Sequence, residues 1–332
     1  MTPDQSINEE FIIFGTGSLQ KRFIEDCPNL QVKYYLDNDP LKWGELHKNK
    51  IIKNLNDCNL DELKNFKILI ASSYYSSISS QLTSIGLIEN VNYFHAYLYA
   101  PRKIAKKYFR IHDDMEDEFY DIYIQCMSYT GTSVERMYAL YQSIKHIVSI
   151  DIEGDIVECG VWRGGSMMLC ALTLKQLNCV NRKLYLYDTY SGMPMPNKID
   201  INHAGESAID KWLEHNGEHW CESPISEVKI NMKKTGYPAD NIIFIEGLVE
   251  DTIPNVIPSK VALLRLDTDF YESTYHELKY LFPILSCNGI IILDDYGHWN
   301  GAKEAIDKYI SENNLKLLLH KIDYTGRIAQ KA

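Results

Sequence analysis

Leu263-Leu264-Arg265-Leu266-Asp267-Thr268-Asp269-Phe270-Tyr271-Glu272-Ser273-Thr274 is the stretch whose reading decides the fold. An apolar run breaks abruptly into acids and then into a helix-like pattern, the mark of a buried strand whose carboxyl end carries carboxylates. A second such run, Ile290-Ile291-Ile292-Leu293-Asp294-Asp295-Tyr296-Gly297, follows the turn-like cluster Ser286-Cys287-Asn288-Gly289. Two buried strands thus deliver acids to one rim, where open α/β sheets bind their ligands. Carboxylates crowded together repel and raise one another's pKa. A hard divalent ion that prefers oxygen ligands, such as Mg²⁺, relieves them. The plainer reading makes Asp267 or Asp269 the N-cap of a helix beginning near Tyr271, and leaves Asp294 and Asp295 as solvated loop acids.

Upstream, Asp155-Ile156-Val157-Glu158-Cys159 runs into Gly160-Val161-Trp162-Arg163-Gly164-Gly165-Ser166 and then into the apolar Met167-Met168-Leu169-Cys170-Ala171-Leu172. A strand ends near an acid, turns through glycines and enters a helix, whose first N–H groups favour the anionic end of a ligand. Lys183-Leu184-Tyr185-Leu186-Tyr187-Asp188 is a second strand with a terminal acid suited to ribose hydroxyls, and Ile242-Ile243-Phe244-Ile245-Glu246-Gly247 is a third. Strand-end acids in succession favour a nucleoside over a bare phosphate. The intervening stretch holds His203, His215 and His219 without metal-ligand spacing; it reads either as a mobile lid or as a loop-rich insertion. His298, after the second acid cluster, is a candidate base or substrate ligand, though a loop histidine is commonly incidental.

Residues 10 to 39 read as a βαβ unit, with Phe11-Ile12-Ile13-Phe14 entering Gly15-Thr16-Gly17-Ser18 and Val32-Lys33-Tyr34-Tyr35-Leu36 closing on Asp37. Gln20 stands where the last glycine of G-x-G-x-x-G belongs, so the dinucleotide fingerprint is incomplete. This part resembles nucleotide-binding-like modules found beside sugar-modifying enzymes; a docking module whose glycine turn is only a turn stays open. The expected organisation is a Rossmann-like domain over 1–100, a charged and aromatic helical connector over 101–130, and a second domain over 131–332. Ser133 is a plausible N-cap for a helix carrying Met137, Leu140, Tyr141, Ile144 and Ile147 at helical spacing.

A net charge of −11 argues against a nucleic-acid partner. The start of the sequence has no secretory pattern and no uninterrupted apolar run spans a bilayer, so a cytoplasmic location is expected. The 8 cysteines are scattered without a C-x-x-C pair, as reduced core thiols are.

Glu135-Arg136-Met137-Tyr138-Ala139-Leu140-Tyr141, the segment from Gly154 to Ser166, Asp188-Thr189-Tyr190-Ser191-Gly192-Met193-Pro194, the opening stretch and Asp294-Asp295-Tyr296-Gly297 together resemble the macrocin O-methyltransferase family. The resemblance covers residues 130 to 310. It implies an α/β fold: a class I methyltransferase sheet, doubly wound, of seven strands with an antiparallel last strand, preceded here by the smaller Rossmann-like domain. Residues 315–330 suit the C-terminal hairpin. It further implies S-adenosylmethionine and Mg²⁺ or another divalent cation as cofactors, and a hydroxyl of a sugar or glycan precursor as acceptor. Glu158, Gly160, Val161 and Ser166 would line the methionine part of the cofactor, Asp188 the ribose, and Glu246 with Gly247 the adenine. Asp267, Asp294 and Asp295 would hold the metal, with Asp267 as the base and His298 as a further catalytic candidate. Two departures stand out: Thr268 replaces a glycine common in the family, and short antibiotic-tailoring members lack the N-terminal domain. A homo-oligomer is expected. Two rival functions stay open, an NAD-dependent nucleotide-sugar enzyme using one of the Tyr-x-x-x-Lys pairs (Tyr99 with Lys103, Tyr141 with Lys145, Tyr275 with Lys279) and a noncatalytic binding protein on the same fold.

Overall fold

The computed structural model describes residues 9–217 and 220–332. The chain forms two compact units that divide between Asp114 and Met115, inside the stretch expected to be a connector. In the first unit β1 (Glu10–Phe14), β2 (Gln31–Leu36), β3 (Leu46–His47), β4 (Lys50–Lys53), β5 (Lys67–Ile70) and β6 (Tyr93–His95) form one sheet in the order β3-β4-β2-β1-β5-β6. All neighbours are parallel except β3 with β4. The apolar runs of β1 and β5 are buried on both faces, as parallel strands between helices must be.

The second unit holds β7 (Asp155–Cys159), β8 (Leu184–Asp188), β9 (Ile242–Glu246), β10 (Val261–Leu266), β11 (Leu285–Leu293), β12 (His320–Lys321) and β13 (Arg327–Gln330). Their order is β12-β13-β11-β10-β7-β8-β9, a seven-stranded sheet in which β13 runs antiparallel to β11. The expected α/β architecture is therefore present. The carboxyl ends of β7 to β11 lie along one edge, which gathers Glu158, Asp188, Glu246, Asp267 and Asp294.

Two local expectations need correction. Ser286-Cys287-Asn288-Gly289 is not a turn before the strand: β11 begins at Leu285, and pairing to β10 jumps from Val261↔Leu285 to Leu263↔Ile290. The polar cluster is a bulge, kept in the sheet by hydrogen bonds between Asn288 and Lys331 and between Lys331 and Gly289. The C-terminal hairpin is shorter than residues 315–330, because only His320 and Lys321 pair with β13. The helix Asp117–Cys126 has a solvated face in Asp117, Glu118 and Gln125 and buries Phe119, Tyr120, Ile122 and Cys126 opposite it, where Phe119 packs on Tyr138 and Tyr141. Those tyrosines belong to the helix Val134–Ser149, whose N-cap is Ser133 and whose stripe from Met137 to Ile147 is buried.

Candidate active site

Construction of the edge begins with the turn after β7. Gly160 has φ +80°, and a Cβ there would lie 1.9 Å from the carbonyl oxygen of Asp267. Only glycine lets these two strand-end loops touch. Gly160 N–H donates to Tyr187 and Asp267 N–H to Cys159, both at 2.9 Å, so the loops are fixed to neighbouring strands. Val161 and Trp162 donate their N–H groups to Asp188 Oδ2 at 2.7 and 2.8 Å. Tyr190 N–H reaches Asp188 Oδ1 at 2.8 Å. The Thr189 hydroxyl donates to the Gly192 carbonyl at 2.5 Å, which leaves Oδ1 one acceptor position. Gly247 N–H donates to the Asp188 carbonyl at 3.0 Å, and Glu246, exposed, pairs with Asp188 in the strand register.

Glu158 is fully buried at the end of β7. Its Oε1 accepts from Arg265, whereas Oε2 has no hydrogen-bond partner among the described residues. Burial first, with the Asp267 charge adding to it, pushes the carboxyl up to about 7 despite Arg265. Ser166, buried in the first turn of the helix Gly165–Gln176, is a neighbour. An orphaned acceptor in a buried carboxyl suits a cationic ligand group.

Arg265 is 3% exposed in the middle of an apolar strand and collects the acids around it. Its guanidinium meets Glu158, Asp267 Oδ2 at 2.8 Å, Asp294 Oδ1 at 2.5 Å and the Thr132 hydroxyl at 3.1 Å. Asp294 also takes Arg136, which is shared at 2.9 Å with Asp323. Sequence reasoning missed Thr132, Arg136 and Asp323 as parts of this site. The signal for Arg265 was present: a lone arginine flanked by leucines must find buried partners.

Asp267, Asp294 and Asp295 each offer an oxygen, and these oxygens lie within 4.8 Å of one another. Asp269, at φ +65°, adds a fourth carboxyl; its N–H donates to Asp295 Oδ2 at 3.2 Å and its Oδ1 accepts from Trp299 Nε1 at 2.8 Å. Burial, then repulsion from Asp267, pushes Asp269 up to about 7, and burial with repulsion from Asp269 and Asp267 raises Asp295 well above the carboxylate range. Negative charge therefore exceeds what Arg136 and Arg265 neutralise, and a divalent cation fits that donor set. Asp294 already spends its oxygens on the two arginines, while Asp267 and Asp295 keep free ones. The helix after β10, Tyr271–Leu281, is capped by neither Asp267 nor Asp269; the buried Asp200 accepts its Tyr271 N–H at 3.0 Å. Thr268 donates to the buried Glu277 at 3.2 Å, a partner that glycine would lack.

His298 is not directed at this cluster. Its Nδ1 meets the Tyr324 hydroxyl at 3.1 Å and its ring packs on His203 and Trp299. Burial and the neighbouring His203 hold it below its ordinary pKa. The insertion is tied down rather than free: Ile201 accepts from Asn300 at 2.9 Å, His298 accepts from His203 N–H at 2.8 Å, and Asn202 bridges Trp299. His215 stacks on Trp220, and His219 lies outside the described residues.

A family model described as Macrocin-O-methyltransferase (TylF) matches residues 60–331. The chain belongs to that family. This macrocin-O-methyltransferase family member is an S-adenosylmethionine-dependent O-methyltransferase. It is 30% identical over 203 residues to the 8-demethyl-8-(2,3-dimethoxy-alpha-L-rhamnosyl)-tetracenomycin-C 4'-O-methyltransferase of Streptomyces olivaceus, covering 60% of this chain and 74% of that one. It is 29% identical over 199 residues to the demethyldecarbamoylnovobiocin O-methyltransferase of Streptomyces niveus, with coverage of 60% and 74%. The solved O-methyltransferase NovP superposes with a TM-score of 0.55 at 28% identity, over 61% of this chain and 82% of that one. Among the described residues of the family member no helix is long and apolar enough to cross a membrane.

Proposed function

We propose that this chain methylates a hydroxyl of a sugar or glycan precursor, with a divalent cation at the acid cluster. The observation that carries the reading is the convergence of Asp267, Asp294 and Asp295 beside a buried Glu158 with an orphaned oxygen. The rhamnosyl acceptor in the name of the Streptomyces olivaceus relative supports the sugar.

S-adenosylmethionine supplies an electrophilic methyl on a sulfonium. Glu158 Oε2 is placed to take the ammonium of its methionine part, beside Gly160, Val161 and Ser166. Asp188 Oδ1 has one position for a ribose hydroxyl, and Glu246 with Gly247 borders the nucleoside beyond it. Asp267 accepts the proton of the acceptor hydroxyl through the oxygen that Arg265 leaves free, and Arg265 keeps that carboxylate turned toward the edge. Asp267 and Asp295 would hold the cation through the oxygens they keep free, and Asp294 would join them through an oxygen it shares with Arg136 or Arg265. The chemistry of the cation there is to acidify and orient a coordinated hydroxyl. His298, turned toward Tyr324, serves the acceptor side rather than the proton transfer.

Asp267→Asn is expected to lower kcat by about 10²–10⁴-fold, the usual span for a general base, while calorimetry finds S-adenosylmethionine affinity retained. Methyl incorporation into nucleotide sugars and glycan precursors, with and without excess chelator, reads both roles. Full activity in the variant removes the base, and full activity under chelation removes the cation.

A further inference from the structure

The first unit holds a cavity of about 920 Å³ that the methyl-transfer reading does not use. From β1 the chain passes to β2 on one side and later returns to β5 on the other, so the crevice beyond β1 and β5 is the topological switch point of the sheet. The cavity lies there, walled by the turn after β1 (15–18), the turn after β5 (71–74) and residues 37–39 after β2. Gly15, at φ +110°, closes its floor, since a Cβ would stand 2.9 Å from the Ala71 carbonyl oxygen.

The lining is donor-rich, with Lys42 paired to Asp37 and Asp39 and Arg22 left as its uncompensated charge among the described residues. Arg22 and Lys42 face the cavity, and Arg22 makes no hydrogen bond or ion pair among the described residues. The hydroxyls of Ser18, Ser73 and Ser77 are likewise without hydrogen-bond partners among them. The helices Ser18–Asp26 and Tyr75–Ser84 both start at the rim, and neither has a side-chain cap or an acid in its first turn. Such a wall accepts a polyanion. Tyr108, Ile78 and Tyr74, which is 74% exposed, add an apolar surface to the lining.

The dinucleotide fingerprint is kept only in part. The would-be ribose acceptor Asp37 already takes the Thr16 N–H at 3.0 Å, the Thr16 hydroxyl, Lys42 Nζ at 3.2 Å and the Asp39 N–H at 2.9 Å. Three of these crowd Oδ2, and Oδ1 keeps one acceptor position. Gln20, in the place of the third glycine, is fully buried and bound to His47 at 2.9 Å.

We propose that this cavity binds a nucleoside diphosphate, free or sugar-linked, with the diphosphate against Ser18, Ser73 and Arg22 and the base against Tyr74. The assignment does not depend on the acceptor of methyl transfer. Titration calorimetry of the full chain with UDP, ADP, UDP-glucose, NAD and inorganic pyrophosphate tests it. Saturable binding of UDP or ADP is expected, weakened at least tenfold in Arg22→Glu. Tyr74→Ala should weaken the nucleoside diphosphate and leave pyrophosphate unchanged. Both variants should retain S-adenosylmethionine affinity, which reports an intact second unit, and circular dichroism checks the first. UDP-glucose against UDP separates the sugar-linked from the free ligand, and tighter binding of either is the proposed chemistry. The proposal is overturned by no binding of any nucleoside diphosphate, by NAD binding tighter than ADP, by pyrophosphate equalling both, or by nucleotide binding that Arg22→Glu leaves intact.

Discussion

Gly160 shows how much one side chain's absence decides. A methyl placed 1.9 Å from the Asp267 carbonyl must push apart the loops after β7 and β10, and φ +80° adds backbone strain. Gly160→Ala should cost about 2–5 kcal/mol, from overpacking of about 1–3 and a left-handed residue at about 1–2. The denaturant midpoint measures it, and an unchanged midpoint would mean the loops yield freely. Arg265→Met removes the ion-pair partner of buried Glu158 and leaves Asp294 with Arg136 alone, and a loss of about 3–5 kcal/mol is the usual scale for breaking a buried pair. His95 carries a pH dependence. Its ring is buried among Tyr75, Tyr97, Tyr108 and Phe109, and burial lowers it from 6.5 to about 4. The unfolded chain takes up this proton as pH falls through 6.5, and the folded chain only near 4. Stability of the first unit therefore declines across that window by about 3 kcal/mol and is flat below it. His95→Phe should abolish this part of the slope in urea titrations at successive pH values; an identical slope would locate the proton elsewhere.

At the scale of elements, the strands that end in acids were legible because two facts coincide in the sequence: a short apolar run and an abrupt change to carboxylates. Asp267, Asp294 and Asp295 were found that way and do lie together. Thr132, Arg136 and Asp323 were not, since their bonds to one another and to Asp294 cross 158 to 187 residues and follow no local period. The bulge in β11 was misread because its polar residues have the composition of a turn, while the bonds that hold them come from Lys331. Asp200 belongs with the unforeseen residues. It caps a helix 71 residues away and is 1% exposed. Asp200→Ala should cost about 1–3 kcal/mol by orphaning Tyr271 N–H and should raise KM for the acceptor more than for S-adenosylmethionine. Equal effects on both would tie the insertion to the cofactor instead.

For the molecule as a whole, the division between Asp114 and Met115 makes ligand effects separable by segment. A ligand at 100 times its Kd stabilises its site by about 2.7 kcal/mol. Hydrogen exchange with S-adenosylmethionine should show added protection over 155–166, 185–190 and 242–247 and none over 10–40. Protection spread evenly over the chain would contradict separate sites. The seven-stranded sheet with its antiparallel end was readable as a family pattern, whereas the buried face of the helix near residue 119 was not, because the stretch is charge-rich and the tyrosines that Phe119 packs on lie in the next helix. One last consequence concerns the insertion, stitched by Ile201 to Asn300, by His203 to His298 and by Asp200 to Tyr271. Two of these stitches join backbone to backbone and survive a graft of the segment from a relative, whereas the third needs the Asp200 side chain. A donor segment without a carboxylate at position 200 would leave the start of the helix Tyr271–Leu281 uncapped, so that one side chain is what design and descent alike must carry along.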